Sequence, residues 1–134
     1  MIVIPKKVYD EMVFHAQKGY PNEACGILAG DKSGAVGAFF PMRNVDDSAI
    51  SYFMDPKEQL QVFKDLRQRS LEMRGIFHSH VASEAYPSQK DVRLAFYPDT
   101  SYLIVSLSVP EKPVLRSFRI AEEKVVEEPV KLLD

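Results

Sequence analysis

Gly75-Ile76-Phe77-His78-Ser79-His80, followed after seven residues by Ser88-Gln89-Lys90-Asp91, decides how this chain is read. The first part has the character of a strand, in which successive side chains point to opposite faces. Ile76, His78 and His80 then share one face, and Phe77 and Ser79 the other. Two imidazoles on one strand face can converge on a single ion, and neutral imidazole is a borderline ligand that suits zinc. Ser88 and Asp91, preceded by Pro87, read as the first turn of a short helix. A strand–loop–helix connection can bring that turn back over the strand end and offer the Asp91 carboxylate as a third ligand. Three protein ligands leave a position for water, which is the catalytic arrangement. Each feature alone also has a plainer reading. A His-x-His pair is commonly solvated or packed in a core, and Ser88-x-x-Asp91 is a sound helix cap without further meaning. Glu23 by itself is an ordinary exposed glutamate ahead of a strand.

Upstream of the histidines, Asp55 can cap a helix, Pro56 fits its first position, and Glu58 is expected to complete a capping box. Leu60, Val62, Phe63, Leu66, Leu71 and Met73 would cover about half the circumference of a helix running to Met73. Residues 2–4 read as a strand, and Pro5 as the first turn of a helix that runs to about Lys18 and stops at Gly19. Cys25-Gly-Ile-Leu-Ala-Gly30 is an apolar strand, Asp31 to Gly34 a turn, and Ala35 to Met42 the hairpin partner. Downstream, Tyr102 to Leu107 reads as a buried strand and Val114 to Ile120 as an alternating one. The acidic tail after Ala121 either adds an edge strand or frays. No repeat, low-complexity tract or linker interrupts the sequence. Residues 1–134 are therefore expected to form a single α/β layered domain with a mixed β-sheet flanked by helices.

Composition narrows the partners. With 134 residues, 46% of them apolar, the chain can bury a sizeable core. A net charge of -2, from 17 basic and 19 acidic residues, gives no reason to expect nucleic acid or an anionic membrane. No run is long and apolar enough to span a bilayer, and Met1 to Lys7 lacks the pattern of a signal peptide. The lone Cys25 rules out an internal disulfide and suits a reducing compartment, so a cytoplasmic location is expected. His15 reads as a helix-surface residue. Arg67, Arg69 and Arg74 read as charges around one helix end, serving solubility or the helix dipole. Monomer and homodimer both remain open.

Glu23, His78-Ser79-His80 and, at the same spacing, Ser88 and Asp91 together resemble the signature of the JAMM (MPN-plus) metalloproteases. Glu23 falls where that family has its glutamate, just before an apolar strand of the Ala-Cys-Gly-Ile-Leu-Ala-Gly kind. The likeness runs from the first helix to the strand near Ile120 and is greatest to compact bacterial and archaeal members. Val81 departs from the proline that many members carry there, which affects the Val81–Pro87 loop but removes no ligand. The resemblance implies a JAMM/MPN (cytidine-deaminase-like) fold and zinc held by His78, His80 and Asp91. It implies Glu23 as general base and Ser88 as donor to the tetrahedral intermediate. A bound zinc ion would lower the pKa of its water towards roughly 7. It further implies a peptidase or isopeptidase that cuts after the Gly-Gly tail of a ubiquitin-like or sulfur-carrier protein, whose extended tail could add to a sheet edge near the metal. The family's long ubiquitin-gripping insertions have no room in this chain.

Other classes compete. Two histidines and one carboxylate also form the non-haem iron triad, against which Glu23 and Ser88 argue. A cysteine hydrolase using Cys25 is disfavoured, because a lone cysteine in such an apolar run behaves as a small buried hydrophobe. A non-catalytic interaction module of the same fold usually lacks the ligands kept here. A zinc nucleobase deaminase would need a Pro-Cys-x-x-Cys run that the chain does not contain.

Overall fold

The computed structural model describes residues 1–134. In chain order its elements are β1 (Ile2–Pro5), α1 (Lys6–Gly19), β2 (Cys25–Gly30), β3 (Ala38–Met42) and α2 (Pro56–Gln68). There follow β4 (Glu72–His80), α3 (Gln89–Arg93), β5 (Ser101–Ser106), β6 (Val114–Ala121), β7 (Lys124–Glu128) and β8 (Val130–Leu133). Six strands form one sheet in the order β3-β2-β4-β5-β6-β7, while β1 and β8 pair in parallel as a separate two-stranded ribbon. Only β4 and β5 are parallel neighbours in the large sheet; its other contacts are antiparallel. This is the mixed, helix-flanked sheet expected from the sequence. No helix is long and apolar enough to cross a membrane.

The strand period splits the core. Phe77 on β4 joins Leu28, Leu103 and Val105 on the face covered by α1, whose Val8, Met12 and Ala16 recur at helical spacing and are buried. Ile76 joins Ile27, Ile104 and Phe118 on the opposite face, where Val62 and Leu66 of α2 pack. β4 lies between β2 and β5, in register Cys25 with His78 and His78 with Ile104. The strand that carries both histidines is therefore hydrogen-bonded on both sides.

Several expectations need correction. Helix α2 stops at Gln68, not Met73. Ser70 takes a left-handed φ of 55°, its N–H bonds the Arg67 carbonyl, and the Leu71 N–H bonds the Leu66 carbonyl at 2.8 Å. That is a Schellman stop without the usual glycine, and Leu71 and Met73 pack from beyond the helix. Asp55 caps α2 through the Lys57 N–H, but Glu58 does not close a capping box: its Oε1 accepts from the Arg43 N–H at 2.8 Å. Pro5 stands as N-cap to α1, one position earlier than expected. Arg74 lies on β4 rather than at a helix end, paired with Glu72 and donating to the Asp31 carbonyl. His15 is half-buried instead of a surface residue, with Nε2 3.0 Å from the Cys25 carbonyl and 3.3 Å from that of Met42. Of the two outcomes left open for the acidic tail, the edge strand is the one found. Glu122 and Glu123, both at positive φ, turn it back as β7, and β8 then closes on β1.

Candidate metal centre

β4 delivers His78 and His80 to one face, as its period requires, and the turn into α3 brings Asp91 over them. Asp91 Oδ2 lies 3.1 Å from His78 Nε2 and 3.1 Å from His80 Nε2, and the two nitrogens are themselves 3.1 Å apart. Ser88 holds the carboxylate in place: its N–H donates to Asp91 Oδ2 at 2.9 Å, and its Oγ accepts from the Asp91 N–H at 3.0 Å. The capping box and the carboxylate placement are one device. The cap uses the Ser88 hydroxyl only as an acceptor, so its proton is available to another group.

The donor set fits a metal ion. His80 Nδ1 lies 2.8 Å from the Glu84 carbonyl oxygen, which can only accept. In the neutral ring Nδ1 therefore carries the proton and Nε2 a lone pair. That lone pair faces the Asp91 carboxylate at 3.1 Å, two acceptors that require a cation or a proton between them. Ligands about 2.0–2.1 Å from one tetrahedral ion stand about 3.3 Å apart, close to the observed triangle. All three ligand atoms lie within 4.8 Å of one another.

The electrostatics without an ion show the same tension. Burial raises the Asp91 carboxyl, but hydrogen bonds from His78, His80 and the Ser88 backbone outweigh it and hold the group well below the usual carboxylate range. Burial pushes the enclosed His78 down against the pull of Asp91. His80 is also pushed down by burial, but Asp91 and the Glu84 carbonyl lift it above its ordinary value.

Glu23 is buried, contrary to its reading as a lone exposed residue, with 6% of its surface accessible. The loss of water pushes its carboxyl up to about 7, tempered by the charge of His80 and reinforced by that of Asp91. Its Oε1 has no hydrogen-bond partner, and neither does His78 Nδ1. A buried carboxylate oxygen without a partner is free to bond a group placed against it. The structure thus gathers His78, His80, Ser88 and Asp91 in one place, with Glu23 near enough for the charges of His80 and Asp91 to act on it. Ser79 points to the opposite face, where its Oγ accepts from the Ala24 N–H at 2.8 Å and steadies the residue next to Glu23. Cys25 is fully buried, and burial followed by the charge of Glu58 pushes its thiol up to about 12.

Sequence reasoning missed Tyr52, whose ring stacks on His78 at 4.5 Å with a 21° tilt. It also missed a largely apolar cavity of about 220 Å³ beside Asp91, lined by Tyr52, Phe53, Met54, Leu94 and Phe96. These come from the 44–54 and 94–97 loops, where no period marks a side chain as inward.

A family model described as prokaryotic homologs of the JAB domain matches residues 5–121. The CysO-cysteine peptidase of Mycobacterium tuberculosis is 41% identical over 135 aligned residues, spanning 100% of this chain and 92% of that protein. The desampylase of Haloferax volcanii is 34% identical over 72% of this chain and 74% of its own length. Among solved structures, a Desulfitobacterium hafniense protein shares 47% identity at a TM-score of 0.91, covering 100% of this chain and 94% of that one. A JAB1/MPN domain protein from Archaeoglobus fulgidus superimposes over 100% of both chains with a TM-score of 0.67 at 16% identity, which shows the shared fold. From its first helix to its sixth strand, the chain belongs to the prokaryotic JAB-domain family, the compact branch of the JAMM/MPN proteins.

Proposed function

We propose that residues 1–134 act as one zinc-dependent peptidase or isopeptidase domain that hydrolyses the bond after the Gly-Gly tail of a ubiquitin-like sulfur-carrier protein. The observation that carries this reading is the convergence of His78 Nε2, His80 Nε2 and Asp91 Oδ2 beside the buried, unpartnered Glu23 Oε1. The relatives named as a CysO-cysteine peptidase and a desampylase support protease chemistry on such conjugates. The free, buried Cys25 is compatible with work in the cytoplasm.

His78, His80 and Asp91 would hold the zinc, which when bound supplies a Lewis acid for the scissile carbonyl and acidifies water. Glu23 takes the proton of the attacking water and passes it to the leaving amine. A carboxyl poised near 7 by burial suits both transfers. The Ser88 hydroxyl, bonded only as an acceptor in the cap, donates to the oxygen that becomes negative in the tetrahedral intermediate. The Glu84 carbonyl keeps His80 in the tautomer that presents Nε2, and the Tyr52 ring walls off His78 from solvent. The apolar cavity beside Asp91 receives an uncharged part of the substrate next to the bond that is cut.

The test has two parts. Elemental analysis of protein purified without added metal or chelator is expected to give near-stoichiometric zinc. Mass spectrometry should then show a Gly-Gly-tailed carrier protein losing its C-terminal extension. Iron instead of zinc would replace the peptidase with the iron-enzyme reading, and an extended carrier left intact by zinc-loaded protein would overturn the proposed substrate.

A further inference from the structure

The loop from residue 44 to 54, between β3 and α2, is organised around one side chain. Asn44 is buried, with 8% of its surface accessible. Its Nδ2 donates to the carbonyls of Glu23 and Ser51, each at 3.0 Å. Its Oδ1 accepts from the N–H groups of Asp46 and Phe53, each also at 3.0 Å. A carboxamide offers two donors and two acceptor positions, so this one is fully used.

What it joins matters for the chemistry. Ser51 and Phe53 flank Tyr52, so both neighbours of the residue stacked on His78 are tied to Asn44. Glu23 is bound to the same loop twice, through its carbonyl to Asn44 and through its N–H to the Ser48 carbonyl at 2.8 Å. Ala24, next in sequence, is bound to Ser79 on β4 through both its N–H and its carbonyl, at 2.8 and 2.9 Å. The backbone under Glu23 thus hangs between the loop that carries Tyr52 and the strand that carries both histidines.

From this the structure assigns Asn44 the part of a positioning residue. By holding the Glu23 carbonyl and the peptides on either side of Tyr52, it keeps the proposed base and the ring over His78 in fixed relation. The role rests on reading Glu23 as the base. It needs a carboxamide, because aspartate at this position would turn an acceptor oxygen, in place of the donor nitrogen, towards the carbonyls of Glu23 and Ser51. Alanine would leave two carbonyls and two N–H groups without their partner.

The test is Asn44→Asp, which keeps the shape and loses the donors, with kinetics on a Gly-Gly-tailed carrier, zinc content and amide hydrogen exchange as readouts. The expectation is a fall in kcat of about tenfold to a hundredfold, the scale of a misplaced catalytic group. KM should stay within about threefold and zinc should stay stoichiometric, since the ligands themselves are untouched. In the metal-free protein the Glu23 and Phe53 amides should lose protection while those of Leu103 and Ile104 in β5 keep theirs. An unchanged kcat, a loss of zinc in step with activity, or an even loss of protection across β5 would each overturn the assignment. If the variant does not fold, native-state exchange of the wild type decides. The Glu23, Asp46 and Phe53 amides should open at one common rate, and independent opening would refute the link. If wild type cleaves no carrier at all, the proposed reaction falls while the exchange data still judge Asn44.

Discussion

On one face of the six-stranded sheet, Leu28, Phe77, Leu103 and Val105 lie under α1 in a mainly apolar layer whose buried serines, Ser79 and Ser117, bond within the protein. On the other, Ile27, Ile76 and Ile104 lie under α2, but the apolar layer gives way at His78 and His80, where the cover passes to Tyr52 of the 44–54 loop and Asp91 of the short α3. Both faces are built from the same strands, and on β4 they alternate residue by residue: Phe77 and Ser79 point to one, His78 and His80 to the other. The closed face anchors the backbone from behind, and the open face uses that rigidity to hold His78 Nε2, His80 Nε2 and Asp91 Oδ2 within a small triangle. The geometry of the triangle thus leans on packing on the opposite side of the sheet.

Damage confined to one face should therefore separate metal binding from folding. The largest effect is expected for Asp91→Ala, which removes a corner of the triangle: zinc should fall to trace levels and peptidase activity below detection, by elemental analysis and mass spectrometry. Retained stoichiometric zinc would break the assignment. Phe77→Ala on the closed face should cost about 3–5 kcal/mol of stability in denaturant unfolding. Its folded fraction should still take up one equivalent of metal, and loss of uptake would show that the two faces are not separable.

Glu23 gives a pH-dependent comparison. Its carboxyl is lifted by burial from 4.5 to about 7 in the folded protein. The folded state therefore binds the proton more tightly than the unfolded chain, and stability falls as pH rises between those two values. In metal-free protein, raising the pH from 4.5 to 8 should cost wild type on the order of 3 kcal/mol relative to Glu23→Gln. Parallel stability profiles for the two proteins would mean that Glu23 is not buried as described. The smallest effect on activity belongs to Cys25→Ser: the thiol's only hydrogen bonds are long ones to the Met42 and Arg43 carbonyls, at 3.9 and 3.6 Å, and it makes none to the triangle. Activity should stay within about twofold of wild type, the range of a change that touches no reacting group. A large loss would reopen the cysteine-hydrolase reading.

The elements that could be read in advance were those with local chemistry. Asp55-Pro56 marks the start of α2, the alternation on β4 separates His78 from Phe77, and Ser88-x-x-Asp91 announces the α3 cap. Errors fell where a common signal was missing. The stop of α2 uses Ser70 in a conformation usually given to glycine, so the helical period ran on to Met73. The β6–β7 turn places Glu122 and Glu123 at positive φ where Asn-Gly would have announced a hairpin, so the tail could not be assigned. His15 carries no mark in its own helix of the two carbonyls it meets on other elements.

By itself the sequence determined which side chains share a strand face, where the main helices begin, and the ordered set of Glu23, His78, His80, Ser88 and Asp91 on which the family likeness rests. These depend on periods of two or about four residues and on motif spacing, which are written along the chain. Only the tertiary structure decided that β2 lies beside β4 with Cys25 opposite His78, which brings buried Glu23 within reach of the charges of His80 and Asp91. It alone decided that β8 closes on β1, that Tyr52 stacks on His78, and that Asn44 ties that loop to Glu23. Those contacts join residues far apart in sequence, and their geometry is set by strand register and by the satisfaction of buried polar groups, which no short window of sequence contains.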